Sequence, residues 1–408
     1  MLPMWRAGAT NSLVDVAGLR VGHAHRVGGG YRTGTTVVLA PAAGAVAGVD
    51  VRGAAPGTRE TELLDPRNLV ERVHAVVLSG GSAFGLSAAC GVMSRLADAG
   101  AGFPVAGGVV PIVPAAVIFD LGRGGTFRAV PDASLGAAAY DAATPCTCPA
   151  TAPASVPAVP GSAVPAGAAS ACAVCGSGGA AATGGGQPTG SAGTTVPFPS
   201  SDERTPAPDG AVVCHRGPAR GSVGAGTGAV AGGLAGGVGT ASAVLPDGST
   251  VAALAVVNAA GSVLDPRDAT LAGARYGLPG EFDHLRPPTP DEAAAWNPER
   301  APSFNTTIGI VATDRTLTKA QCGKLAAVAH DGLARAIRPA HTMTDGDTIF
   351  GLATCARPAP RRDTFQDVLA AAADVFSRAV ADAVLTATGR PDAPAYLDVF
   401  PSALRSRP

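Results

Sequence analysis

Between about residues 144 and 219 the chain is built mainly of Pro, Ala, Gly and Ser, with almost no helical or strand periodicity. Such a stretch cannot bury enough apolar area to offset the entropy of ordering it, and it reads as a mobile insertion. A core must therefore be assembled from two separated pieces, roughly residues 12–140 and everything from Gly221 onward. With 408 residues, 46% of them hydrophobic and only 15% charged, the chain has ample material for a large folded core.

The first piece alternates β-rich runs with glycine turns, the pattern of a layered α/β domain. Ala75-Val76-Val77-Leu78-Ser79 predicts a buried strand, Gly80-Gly81-Ser82 a tight turn, and the spacing of Leu86, Cys90, Val92, Met93 and Leu96 a helix over 83–97. In the second piece Val251 to Asn258 predicts a buried strand that ends on a polar residue. Pro287, Pro288, Pro290 and Pro298 mark an irregular connector, expected to be exposed and bent, that leads into Asn305-Thr306. Beyond it the pattern is strand (306–312), helix (319–337), an Asp-rich segment that becomes a strand (345–352), and helix (367–386).

A formal net charge of −1 and scattered arginines offer no general attraction for nucleic acid or anionic membranes, so neither is expected as a partner. The start of the chain lacks the basic, apolar and small-residue order of a secretory signal, and no run approaches about 20 apolar residues. A cytoplasmic location is the expectation. Of eight cysteines, Cys146/Cys148 and Cys172/Cys175 form close pairs, but Cys-x-Cys with Cys-x-x-Cys is not a standard zinc spacing. No metal or cofactor is expected. The glycine loops lack Gly-Lys-Ser/Thr, and Gly80-Gly81-Ser82-Ala83-Phe84 has Phe84 where a nucleophile elbow needs glycine, which leaves Ser82 a structural or pocket-lining role.

Thr306 opens a β-branched strand directly after Asn305. Alone, the pair reads most simply as a strand former after a turn residue. If the chain is cut between them, however, Thr306 gains a free α-amine beside its hydroxyl, so nucleophile and base belong to one residue. Strand alternation sends the Thr306 and Thr307 hydroxyls to opposite faces. Asp345 and Asp347, two positions apart on an extended segment, point to one side, where each raises the other's proton affinity.

Six stretches in order carry a resemblance: Leu13 to His23, Thr35 to Leu39, Arg52 to Glu60, Gly80 to Leu86, Gly221 to Ala229, and Asn305-Thr306 with its strand. Together they resemble the DmpA-like family of self-processing N-terminal-nucleophile aminopeptidases and amidases, especially the threonine branch that includes nylon-oligomer hydrolases. That resemblance implies an αββα sandwich, matured into an α chain of residues 1–305 and a β chain of residues 306–408 that together form one structural domain. It implies Thr306 as nucleophile, Asp345 and Asp347 as its acidic partners, and Asn258 as the amide donor to the oxyanion. It also implies a small peptide or amide substrate and a homo-oligomer, a tetramer of such heterodimers. An esterase on the same nucleophile and a non-catalytic scaffold are the rival readings. One departure stands out: threonine members carry a lysine between the glycine motif and the Asn258 position, whereas this chain reads Ala231 to Gly237 there and has only Lys319 and Lys324. An arginine such as Arg220 is the candidate replacement.

Overall fold

The strand Thr306–Arg315 is buried along its length up to Arg315, so both of its faces need a cover. Alternation decides which. Ile308, Ile310 and Ala312 pack with Val21, Val38, Val76 and Leu78 of a second sheet, whereas Val311 packs with Leu325, Leu333, Val375 and Phe376 of two helices. Gly309 faces the helices too, where an added Cβ would stand 2.6 Å from the Phe376 ring.

The computed structural model describes residues 5–143, 209–217, 219–298 and 304–405, all within one compact unit of residues 1–145 and 207–408. A second unit, residues 146–206, lies outside the described residues, and with it both cysteine pairs and most of the stretch read as an insertion. In chain order the main strands are β1 (Arg20–Gly28), β2 (Tyr31–Leu39), β3 (Ala45–Val51), β4 (Thr58–Arg59), β5 (Arg72–Val73), β6 (Ala75–Ser79), β7 (Ala115–Val117), β8 (Val212–Arg216), β9 (Gly237–Val244), β10 (Thr250–Asn258), β11 (Thr306–Arg315) and β12 (Thr348–Arg357). The main helices are α1 (Ala88–Asp98), α2 (Ala133–Ala143), α3 (Lys319–Ala336) and α4 (Arg362–Leu385). One sheet has the order β8-β1-β2-β6-β7-β4, the other β9-β10-β11-β12-β3-β5.

Helices α1 and α2 cover the outer face of the first sheet through Val92, Leu96, Leu135 and Ala139, and α3 and α4 cover the second. The result is the expected αββα sandwich. Within it β11 pairs antiparallel with β10, Asn258 opposite Thr306, and parallel with β12. The site therefore forms where the ends of central strands meet. No helix among the described residues is long and apolar enough to cross a membrane.

Several boundaries differ from the sequence pattern: β11 runs on to Arg315 instead of ending at 312, and β12 spans Thr348–Arg357 instead of 345–352. Residues 82–87 form a 3-10 turn and α1 begins only at Ala88, because Gly81 and Ser82 take left-handed φ values of 82° and 50° that no α-helix continues. Helix α4 begins earlier than its apolar period, at Arg362, on an exposed polar turn. Strand β8 falls inside the stretch read as insertion and pairs with β1 from Gly22 opposite Arg216 to Arg26 opposite Val212. As a short edge strand it carries too little alternation to stand out in the sequence.

Candidate active site

Strand pairing begins one residue before β11. Asn305 makes a parallel bridge to Asp345, in the register that places Ile308 opposite Thr348. Its N–H donates to Thr344 O at 3.2 Å, and its carbonyl accepts from Gly346 N–H at 3.1 Å and from the Thr306 hydroxyl at 2.6 Å. Asn305 and Thr306 are 6% and 5% exposed. The Asn305–Thr306 peptide is thus held inside a β-ladder, not on the exposed bend expected from the prolines, because the ladder extends past the end of the named strand.

The two threonine hydroxyls separate as alternation requires. Thr306 lines a cavity of about 290 Å³ with Ala55, Pro56, Val117, Ile118, Phe119 and Thr344. Ser82 also lines it, in the pocket-lining role expected. The Thr307 hydroxyl is buried elsewhere without a hydrogen-bond partner, while its N–H donates to Asp347 Oδ1 at 2.7 Å.

Both aspartates are 3% exposed and turn to the loop before them. Asp345 Oδ2 accepts from the Thr342 N–H and hydroxyl, each at 2.7 Å. Asp347 Oδ2 accepts from the His341 N–H at 3.1 Å and faces His341 Nδ1 at 2.8 Å. Burial, more than the neighbouring Asp347 charge, pushes the Asp345 carboxyl above the usual carboxylate range, against the Thr342 hydrogen bonds that lower it. The spacing of the two carboxylates points to their mutual repulsion, whereas in the structure that repulsion is the smaller of the two raising effects. His341 was not singled out from sequence. Its ring packs edge-on against His330 at 4.9 Å, and burial drives His330 down to about 4, so that ring is neutral near pH 7.

The segment 345–347 is fixed on its other side by the Arg52 to Glu60 motif: Arg52 and Gly53 N–H groups donate to Asp347 O, and Ala55 N–H donates to Asp345 O. Gly346 is wedged between them. A Cβ there would stand 2.6 Å from Ala55 O and 2.9 Å from the Thr306 hydroxyl, so the glycine is required for space.

Asn258 is fully buried, its side-chain oxygen accepting from Arg123 Nη1 at 2.5 Å and Val230 N–H at 3.1 Å. With the oxygen so fixed, its Nδ2 donates to Phe119 O at 3.2 Å. Arg123 Nη1 also donates to Gly228 O at 2.6 Å, an acceptor shared with Arg390 Nη2 at 3.3 Å. Burial lowers Arg123 to about 10, which Asp120 partly opposes and Arg390 reinforces, and it stays charged at neutral pH. Arg220, the candidate substitute for the missing lysine, is instead tied to Asp382 of α4 at 2.9 Å. The cation beside the amide is Arg123, on a loop far from the motif in sequence, with no periodicity or spacing to flag it.

This sandwich, with its central strands ending at one cavity, is a fold that solved aminopeptidase structures share. The structure of the L-aminopeptidase D-Ala-esterase/amidase from Ochrobactrum anthropi, described as a variant of the Ntn hydrolase fold, matches 98% of this chain and 96% of its own with a TM-score of 0.59 and 17% identity. The model of peptidase family S58 matches residues 11–185 and 200–392, and the chain belongs to that family. It is 42% identical to an uncharacterized aminopeptidase of Mycobacterium leprae over 97% of this chain and 96% of that protein. It is 26% identical to a 6-aminohexanoate-oligomer endohydrolase of Kocuria sp. (strain KY2), over 87% of this chain and 78% of that protein. As a member of a peptidase family, the chain is an amide-bond hydrolase.

Proposed function

We propose that the chain cuts itself between Asn305 and Thr306, and that the exposed Thr306 then hydrolyses amide bonds in small peptides, amino-acid amides or ω-amino-acid oligomers. The observation that carries this reading is the Thr306 hydroxyl 2.6 Å from the oxygen of its own preceding carbonyl, which Gly346 N–H also holds. In the first step Thr306 Oγ1 bonds to the Asn305 carbonyl carbon and the peptide C–N bond breaks. The hydroxyl proton passes to the departing amine, leaving an ester that water hydrolyses to the Asn305 carboxylate and a free Thr306 hydroxyl. In turnover the Thr306 amine takes the hydroxyl proton as Oγ1 bonds to the substrate carbonyl carbon and passes it to the leaving amine as the substrate C–N bond breaks, and water then hydrolyses the ester to release the acid and restore the Thr306 hydroxyl.

Asp345 and Asp347 hold the ends of this segment in place, and Asn258 supplies an amide N–H towards the developing oxyanion, polarised by Arg123 behind it. The substrate range is supported by the aminopeptidase and oligomer-hydrolase names of the relatives. The test is the denatured mass of the purified protein: two chains meeting at Asn305/Thr306 support the reading, and one chain after long incubation rejects it. Since β11 lies between β10 and β12, the two pieces are expected to stay joined until denatured.

Two further outcomes follow from the geometry. Gly346→Ala should slow self-cleavage by roughly 10²-fold, the scale of losing one oxyanion donor, measured as uncut chain against time with circular dichroism confirming the fold. Arg123→Gln should lower kcat by about tenfold, a cost near the 1.5 kcal/mol of a charged hydrogen bond. KM should hardly move, and Arg123→Lys should recover part of the loss.

A further inference from the structure

Away from the Thr306 cavity, two adjoining cavities of about 320 and 400 Å³ open where the loop after β10 meets the end of α3, and they share Asp265, Arg267 and Arg338 in their walls. The smaller is ringed by the guanidiniums of Arg267, Arg275, Arg335 and Arg338. The larger is flanked by Leu264, Ala293 and Trp296. Neither shares a lining residue with the cavity at Thr306.

The carboxylates beside these arginines are already engaged. Arg267 makes a two-pronged pair with Asp265, Nε to Oδ1 at 3.0 Å and Nη2 to Oδ2 at 2.7 Å. Arg275 links Asp265 to Asp268, Nε to Oδ2 of the first at 2.6 Å and Nη2 to Oδ2 of the second at 2.7 Å. Arg335 pairs with Asp374 at 3.0 Å, its guanidinium 5.1 Å over the Tyr276 ring. The Arg338 side chain has no hydrogen bond or ion pair to any described residue. Four guanidiniums therefore stand against three carboxylates, and the excess charge belongs to Arg338. The Nη1 groups of Arg267 and Arg275 are also unused among the described residues.

We propose that the two cavities form one binding site for a small anion that joins a phosphate or carboxylate head to an apolar, preferably aromatic, body. Paired guanidinium N–H groups match the oxygen spacing of both heads, and the buried Asp265 fixes the Arg267 and Arg275 forks before any ligand arrives. The head enters between Arg338 and those forks, and the body lies against Trp296. The volumes are those of a small-molecule site, not of a single ion. Ser262 and Arg338 exchange both main-chain bonds, at 2.8 and 2.9 Å, and this bridge ties the segment after Asn258 to the loop that leads to His341. A ligand gripped by Arg267 on one side and Arg338 on the other clamps the bridge and stabilises the folded chain by mass action. Nothing in this site depends on the chemistry at Thr306.

The test titrates the purified full chain, at an ionic strength held constant with sodium chloride, with phenyl phosphate, phenylacetate, inorganic phosphate and neutral benzyl alcohol. Calorimetry and tryptophan fluorescence follow binding. At least one of the two aromatic anions should bind saturably at one site per chain, more tightly than inorganic phosphate, and should raise the melting temperature; the better of the two identifies the head. Benzyl alcohol, which lacks the charge, should not bind. Arg338→Gln should weaken the aromatic anion by about tenfold, the scale of one charged hydrogen bond, and Trp296→Leu should remove most of its advantage over inorganic phosphate. Arg267→Gln, at an exposed position, serves in the same way if Arg338→Gln fails to fold. Absence of saturable binding, inorganic phosphate binding as tightly as the aromatic anions, or affinity unchanged in the folded arginine variants overturns the proposal and leaves amide hydrolysis at Thr306 standing.

Discussion

Thr306→Ala should remain a single uncut chain under conditions in which the wild-type protein separates, on denaturation, into pieces of residues 1–305 and 306–408. It should also hydrolyse no amide. The Thr306 hydroxyl reaches the Asn305 carbonyl, and removing it leaves Gly346 N–H holding an oxygen without that nucleophile beside the carbon. Alanine keeps the strand's backbone bonds to β10 and β12, so circular dichroism and the melting temperature should stay close to wild type. Denatured mass after prolonged incubation checks the first half, and anilide turnover the second. A Thr306→Ala protein that still cuts at this peptide bond would assign the cleavage to another nucleophile. Thr306→Ser sharpens the test, since a hydroxyl without the methyl group should restore cleavage.

Asn258→Ala carries the next largest expected effect, a fall in kcat of about 10²–10³-fold, the loss typical of an oxyanion donor. That variant also strips Arg123 of an acceptor in a buried place, so fold and function would be mixed. Asn258→Asp separates them. It keeps an oxygen for Arg123 and the Val230 N–H but removes the amide protons, and should lose rate by a similar factor while remaining folded. If Asn258→Asp keeps near-normal kcat, the amide is structural, bracing Phe119 O and the glycine motif, and the oxyanion is served by the main chain at Gly346 instead. In the uncut chain that N–H, and not the Asn258 amide, contacts the Asn305 carbonyl, so the comparison decides between two donors that the geometry makes distinct.

Local pattern alone placed several of these pieces. Apolar alternation located the strand that ends at Asn258, helical spacing located α3, and the order strand, helix, strand, helix after Asn305 is what the structure shows. Alternation also separated the Thr306 and Thr307 hydroxyls correctly, because the pleat of a buried strand leaves side chains two faces and no others. The glycine motifs were readable as close backbone approaches. They surround the site in space: Arg52, Gly53 and Ala55 brace residues 345–347, and Gly228 O gathers Arg123 and Arg390.

What the sequence by itself determined was therefore local: periodicity, and the place of Asn305-Thr306 at the opening of a buried strand. The tertiary structure alone decided which distant groups face that pair. Arg123 reaches Asn258 across 135 residues of chain and Arg220 does not, His341 meets Asp347 through a loop with no regular pattern, and Asn305 is gripped by a ladder that the prolines before it had concealed. Those contacts depend on how two sheets and their connecting loops pack against each other. A charge or an N–H becomes part of a site only when folding removes water from around it and sets an acceptor within about 3 Å.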